Sequence, residues 1–489
     1  MPLSFLKRPQ PSAGENMDAE VYQRVREIIN YVREHGDEAL YHYTERFDGL
    51  RLRRLKLTSS KIYDAVNSVD DHSKKLIDKA QRRIERFARF QLSMYRDMEL
   101  RVDHGKTILG QRVIPIESVG VYVPGGRFPL VSTALMTAVP AKVAGVSRIF
   151  ATTPPTRDGK PNPAVVYALK KAGVQEVFSV GGAQAVAAFA YGTQSIPRVD
   201  KVVGPGNKYV NEEKRQLFGQ IGIDLLAGPS EVLVVADDSA DPELVAHDLA
   251  AQAEHDVDAK PWAVTLKVEL AEKILEAVQG VIESLPTRET ARISWMRHGV
   301  VAVADSLDEA LGYANKLAPE HLELHLNSTN TRRALKELRN YGSLFIGKRT
   351  PVVFSDMLLG PNHVLPTGGA SRFTGGAQRR ILPQGGHIPE GHRCAHVATH
   401  SEAGRGAEQT RRFGGPRPLS GEESPTAAPS PQKHGAKATT LRSAKCGVYQ
   451  EGPHRVCATS PPNTTGERKP PSCARPPARL LEGTSVLDC

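Results

Sequence analysis

The chain predicts an α/β protein built on two Rossmann-like parallel-sheet domains, with an N-terminal helical segment and a disordered C-terminal tail. Three observations carry this expectation. Between about residues 118 and 346, short β-branched runs alternate with amphipathic helical runs, the order that makes parallel sheets with crossover helices. The length, 489 residues, suits two such sheets better than one. After about Gly376 all periodicity stops, and the last 113 residues hold 14 prolines among Arg, Gly, Ser and Thr. Such a segment cannot bury enough apolar surface to offset its ordering entropy.

The elements follow in order. Met17 to Arg33 and Asp37 to Phe47 are amphipathic helical segments split by Gly36. Asp70 to Arg101 reads as one long charged helix with Ile77, Ala80, Ile84, Phe87 and Phe90 at helical spacing. Strand-like runs are Ser118 to Val123, Arg148 to Thr152, Glu176 to Val180, Lys201 to Val203, Val232 to Ala236, Trp262 to Val268, Val300 to Ala304 and Ser343 to Ile346. Between most of them lie helical runs: Pro163 to Ala172, Ala183 to Tyr191, Lys208 to Phe218, Pro242 to His255, Leu270 to Ser284, Leu307 to Leu317 and Thr331 to Tyr341. The expected division is an N-terminal segment over 1–20, a first α/β domain from 21–121 and 231–376, a second over 122–230, and a tail over 377–489.

Composition excludes several function classes. The formal net charge is +10, but residues 377–489 carry 16 Lys+Arg against 9 Asp+Glu, whereas the first 376 hold 48 against 45. The body therefore lacks the basic face of a nucleic-acid binder. All five cysteines (Cys394, Cys446, Cys457, Cys473 and Cys489) lie in the tail. The body thus has no disulfide framework, thiolate metal site or cysteine nucleophile. No 18-residue apolar run and no signal-peptide core are present, so a soluble cytoplasmic protein without membrane contact is expected.

Short Gly-Pro-polar islands interrupt the pattern: Tyr122-Val123-Pro124-Gly125-Gly126, Gly181-Gly182-Ala183-Gln184, Gly204-Pro205-Gly206-Asn207, Gly228-Pro229-Ser230-Glu231, Pro319-Glu320-His321, and Asp356 through Gly360-Pro361-Asn362-His363. Each alone reads as a turn. Together, following strands or opening helices, they suggest ligand loops, where glycine lets a backbone approach and a helix N-terminus favours phosphate. Gly204-Pro205-Gly206-Asn207-Lys208-Tyr209 has Tyr209 in place of the last glycine of the dinucleotide fingerprint, so any nucleotide must use a different loop set. Gln252 and His255 lie three apart in a helical stretch and share a face. With Asp356 they supply two oxygens and a nitrogen, a set suited to a hard or borderline divalent cation. Glu320 and His321 are natural proton carriers near neutral pH, although an exposed helix terminus would read the same way.

In order and wording these islands resemble the histidinol dehydrogenase family, over roughly residues 20 to 376. The resemblance implies NAD-dependent oxidation of L-histidinol through L-histidinal to L-histidine, with a zinc ion and a homodimer. It implies NAD contacts at Tyr122, Gln184 and Asn207, so the second domain would carry the nucleotide. It implies substrate contacts at Ser230, Gln252, His255, Glu320, His321 and Asp356, with Gln252, His255 and Asp356 on zinc. Glu320 and His321 resemble the acid-base pair. A catalytically dead ligand-binding homologue of the same fold is the alternative.

The chain departs from that family at its end. The resemblance implies a fourth zinc ligand, a histidine in a segment Glu-Gly-Leu-x-x-His that reaches into the partner subunit. No Glu of the tail is followed five residues later by His, and Glu390-Gly391-His392 with His396 is only an echo. The pattern survives through Arg372-Phe373-Thr374-Gly375-Gly376 and then vanishes. A frameshift near codon 376 accounts for the tail's composition; a lineage-specific extension is the alternative. Either way the chain is expected to hold zinc by three protein ligands at best, with dimerisation and activity impaired.

Overall fold

The computed structural model describes residues 3–10, 15–105, 107–125, 129–354, 359–374 and 392–400. The chain opens with strand β1 (Ser4–Lys7) and helices α1 (Glu15–His35), α2 (Asp37–Asp48), α3 (Ser59–Ser68) and α4 (Asp71–Leu92). Strands β2 (Met98–Val102) and β3 (Thr107–Pro115) follow. A first alternating run comprises β4 (Ser118–Tyr122), α5 (Val131–Val143), β5 (Arg148–Thr153), α6 (Pro163–Lys171), β6 (Glu176–Ser179), α7 (Gly182–Tyr191), β7 (Lys201–Val203), α8 (Lys208–Leu217) and β8 (Gly222–Ile223). A second comprises β9 (Glu231–Ala236), α9 (Pro242–Ala253), β10 (Lys260–Thr265), α10 (Val268–Ser284), α11 (Arg288–His298), β11 (Val300–Val303), α12 (Leu307–Leu317), β12 (His321–His325), α13 (Ser328–Glu337), β13 (Ser343–Ile346) and α14 (Val352–Phe354). The last strand described is β14 (His392–His400).

Two sheets organise the molecule. One is five-stranded and parallel, in the order β6-β5-β4-β7-β8. The other is six-stranded, β1-β11-β10-β9-β12-β13, parallel except for the antiparallel edge strand β1. Strands β4, β9 and β12 are buried along their whole length, as a sheet covered by helices on both faces requires. Local chemistry sets the helix starts. The Asn207 side chain caps α8, and Asp241 caps α9 with Pro242 in the first turn.

The structure departs from the sequence expectation in five places. The helix expected over Asp70–Arg101 stops at Leu92, and Met98–Val102 instead pairs antiparallel with β3. The N-terminal helices pack on the five-stranded sheet, whereas the sequence groups residues 21–121 with the other sheet: Val25, Ile28, Ile29 and Leu40 share a core with Phe178 and Phe189, and Ile77, Ala80 and Ile84 share one with Leu135 and Val139. Residues 4–7, read as a separate segment, form the edge of the six-stranded sheet. His321–His325 is an unforeseen strand inserted between β9 and β13; its alternating His-Leu-Glu-Leu-His pattern hides a strand buried on both faces. Lastly, His392–His400 lies within the stretch read as disordered, yet its backbone pairs with β3 from His392 opposite Pro115 to His400 opposite Thr107. Main-chain bonds to an open edge need no apolar side chains. The rest of the tail lies outside the described residues.

Candidate active site

The nucleotide candidates gather at the C-terminal edge of the five-stranded sheet. Tyr122 ends β4 and is buried; its hydroxyl accepts the Gly182 N–H at 3.2 Å. Burial holds its phenol well above the ordinary pKa, so it stays neutral. Gln184 sits in the first turn of α7, 1% exposed, and its Oε1 has no hydrogen-bond partner among the described residues. Asn207 Oδ1 accepts the N–H groups of Tyr209 and Val210, which orients its amide at the start of α8. The loops approach as closely as backbones can. A Cβ on Gly204, at φ +126°, would lie 2.0 Å from the Tyr122 carbonyl oxygen, and one on Gly125 would lie 2.2 Å from the Pro154 ring. Gly204 is gripped from beneath: its N–H donates to Asp224 and its carbonyl accepts from Lys214, and these two side chains form a buried ion pair.

The catalytic candidates gather at the opposite kind of edge. Ser230 immediately precedes β9, His321 begins β12, and Gln252 and His255 close α9 just before β10. These are the N-terminal ends of three adjacent strands, whereas α/β sheets usually offer ligands their C-terminal ends. Gln252 is buried and His255 exposed. Helix α9 ends at Ala253, so His255 lies on the following turn, where its N–H donates to the Gln252 carbonyl at 3.3 Å. That bond keeps the two residues within one turn of each other, as the helical spacing anticipates. Asp356 lies outside the described residues.

Glu231 connects Glu320 and His321, and sequence reasoning passed over it. Its backbone N–H donates to Glu320 Oε2 at 2.9 Å, and its carbonyl oxygen lies 3.0 Å from His321 Nδ1. Its own carboxylate accepts from Lys260 at 3.0 Å and from the Gly368 N–H at 3.0 Å. A carbonyl only accepts, so the His321 Nδ1 facing it carries a proton. Glu320 and His321 are both about 5% exposed, their nearest charged atoms 3.6 Å apart. They sit at a buried strand entrance rather than an exposed helix end. The one available signal for Glu231 was a charged residue opening the otherwise apolar run Val232 to Ala236.

Residues 359–374 join the two sheets. Asn362 donates to the Met136 carbonyl on α5, while the Thr367 hydroxyl accepts from Gly228 and Gly368 reaches Glu231. A side chain at Gly342 would strike the Glu320 carbonyl oxygen at 2.5 Å, so β13 packs directly under the pair.

Comparison with known proteins agrees with this architecture. The family model for histidinol dehydrogenase matches residues 12–380. The histidinol dehydrogenase of Geobacter sulfurreducens is 45% identical over 363 residues, covering 74% of this chain and 83% of that protein. That of Bacillus cereus is 43% identical over 359 residues, covering 73% and 82%. The crystal structure of histidinol dehydrogenase from Elizabethkingia anophelis matches with a TM-score of 0.72 at 31% identity, over 81% of this chain and 87% of that one. Two covered sheets, a buried Glu320–His321 pair and these matches define a two-sheet α/β oxidoreductase. The matched region takes in every candidate site residue and stops where the sequence pattern stops. The chain belongs to the histidinol dehydrogenase family, oxidoreductases of histidine biosynthesis.

Proposed function

We propose that this chain oxidises L-histidinol through L-histidinal to L-histidine with NAD as hydride acceptor and a zinc ion at the substrate site. The observation that carries this is the Glu320–Glu231–His321 arrangement, which buries a carboxylate and an imidazole side by side and turns the imidazole Nδ1 to the Glu231 carbonyl. In each oxidation His321 Nε2 takes the hydroxyl proton as the carbon-bound hydrogen departs as hydride. Between the two, water adds to the aldehyde and Glu320 takes its proton. Residues 1–393 contain no cysteine, so no thiohemiacetal route competes for the aldehyde.

The residues present fit both groups. For NAD, the buried Gln184 Oε1 awaits a donor, and the glycines at 125, 181 and 204 hold the loops so close that a Cβ would clash; Tyr122, Gln184 and Asn207 would line the nucleotide. For zinc, the donor set of amide oxygen, imidazole and carboxylate from Gln252, His255 and Asp356 suits the ion. When bound, it supplies a Lewis-acidic anchor that orients the substrate's amine and imidazole. Ser230 completes the substrate contacts. The same reading makes the protein a cytoplasmic homodimer, impaired by a tail without the Glu-Gly-Leu-x-x-His segment.

The test is NADH formation from histidinol with and without added zinc, in the full chain and in Glu320→Gln. The variant should oxidise histidinol to the aldehyde at near wild-type rate and slow the second oxidation by about 10²–10⁴-fold; equal loss of both steps refutes the division of roles. The missing tail segment favours one second reading, a catalytically dead ligand-binding homologue. Calorimetric binding of histidinol with no NADH formation at any zinc concentration would establish it.

A further inference from the structure

Below the acid-base pair, β12 carries two more polar residues on the same face. Strand side chains alternate, so His321, Glu323 and His325 point one way, and Leu322 and Leu324 the other. Glu323 is 1% and His325 5% exposed. They meet Asp248 of α9, which lies one turn before Gln252 and about two turns before His255. His325 Nε2 is 3.5 Å from Asp248 Oδ2 and 3.8 Å from Glu323 Oε2. One donor atom from each of the three residues falls within 4.8 Å of the others. The second Glu323 oxygen accepts the N–H of Val352 at 3.0 Å, at the start of α14 and four residues before Asp356.

Each member of this cluster thus belongs to an element that carries a site residue. Asp248 shares α9 with Gln252, and His255 lies on the turn that follows; Glu323 and His325 share a strand with His321, and Val352 lies four residues before Asp356. We propose that Asp248, Glu323 and His325 form a buried positioning cluster that locks the metal-ligand helix, the catalytic strand and the segment entering Asp356 into one register. The inference rests on the zinc and acid-base assignment proposed above. The electrostatics agree with the geometry. Burial, and then the nearby Asp248 charge, hold the Glu323 carboxyl well above the ordinary range. No Lys or Arg pairs with either of them among the described residues, which leaves the His325 imidazole between the two carboxyl groups to hold the contact. Helix α9 and strand β12 are adjacent through β9, yet an apolar contact alone would let the helix slide along its axis. The 3.5 Å contact of Asp248 with His325, one turn from Gln252, is the polar contact that sets that position.

The experiment compares Asp248→Ala, Glu323→Ala and Glu323→Gln in the full chain, with Gln252→Ala and His255→Ala as controls. Zinc affinity is read by competition with a chromophoric chelator, NADH affinity by fluorescence, and hydrogen exchange by peptide over residues 242–255 and 348–354. Asp248→Ala and Glu323→Ala should weaken zinc about 10–100-fold, the cost of losing supporting partners behind metal ligands. They should also speed exchange in both peptides while leaving NADH affinity unchanged, since the nucleotide loops belong to the other sheet. Glu323→Gln keeps an acceptor for Val352 and should recover most of both effects. Unchanged exchange in the two peptides overturns the proposal, whatever the zinc result. So does an equal loss of zinc and NADH binding, which marks general destabilisation. A second zinc equivalent in the wild type that disappears in Glu323→Ala would make the cluster a metal site instead. If the Gln252 and His255 controls leave zinc affinity unchanged, the zinc assignment fails; if they abolish it while the cluster variants do not, the positioning role fails.

Discussion

Glu231 holds the proposed acid-base pair by its backbone, and its side chain makes contacts of its own. Its N–H and carbonyl hold Glu320 and His321, so no substitution at 231 removes those contacts directly. Its carboxylate holds Gly368 and Lys260. Glu231→Ala should therefore leave a buried donor unsatisfied and cost about 1–3 kcal/mol in denaturant unfolding, whereas Glu231→Gln should recover most of that by still accepting from Gly368. Glu213 offers a second prediction. It is buried on α8 with no ion-pair partner among the described residues, and burial raises its pKa well above the ordinary carboxylate value. A carboxyl raised on folding leaves stability intact below its unfolded pKa and erodes it as pH rises toward the folded one. Stability should fall relative to Glu213→Gln by up to about 1.4 kcal/mol per pH unit above about pH 4.5, read from unfolding midpoints across pH; a pH-independent difference would count against a neutral buried acid. Residues of this kind were only partly legible. Gln252 and His255 announce themselves by spacing, but nothing in the linear order says that the residue after Ser230 will touch both members of the pair.

Among the elements, the loop from Gly204 to Asn207 shows how a fold makes a binding surface from backbone. The buried Lys214–Asp224 pair grips the N–H and the carbonyl of one glycine held at φ +126°. Lys214→Met leaves Asp224 buried without its countercharge and should cost about 3–5 kcal/mol. Under the proposed assignment it should also raise KM for NAD more than it lowers kcat, because the loop rather than the reacting centre moves. Gly204→Ala should be worse, since its Cβ has no room against Tyr122. Most strands and helices of the alternating region fall within a few residues of the expected limits, because long apolar periodicity is a local property. Strand β12 was missed because three of its five residues are His or Glu. They are buried only because Asp248, Glu231 and the neighbouring strands provide partners, and those lie far away in the chain. The helix expected over 70–101 failed at its end for a related reason: Met98–Val102 is exposed, and pairing with β3 decides its state.

For the whole molecule, the site draws on two sheets that use opposite edges. Nucleotide candidates occupy the C-terminal ends of β4, β6 and β7, while catalytic candidates occupy the N-terminal ends of β9, β10 and β12. Residues 359–374 run between them, from Met136 on one side to Gly228 and Glu231 on the other. The match to the family ends near residue 380, and the proposed impairment rests on the stretch beyond it. Translating the gene in its other two frames beyond codon 376 should reveal a run ending in Glu-Gly-Leu-x-x-His. A chain rebuilt with that run should retain about one zinc per subunit and scatter light as a dimer, and its absence from both frames would speak for an independent extension.

Most strands and helices of the alternating region, the absence of cysteine from the body, the glycine loops and the acid, imidazole and amide residue types were settled by the linear chain, because propensity, periodicity and composition act over a few residues. Which sheet edge each loop reaches, where the N-terminal helices dock, and how Glu231, Asp248, Glu323 and His325 come together were settled only by the tertiary structure. Burying a polar group is tolerable only beside a partner, and here the partners lie up to 137 residues away.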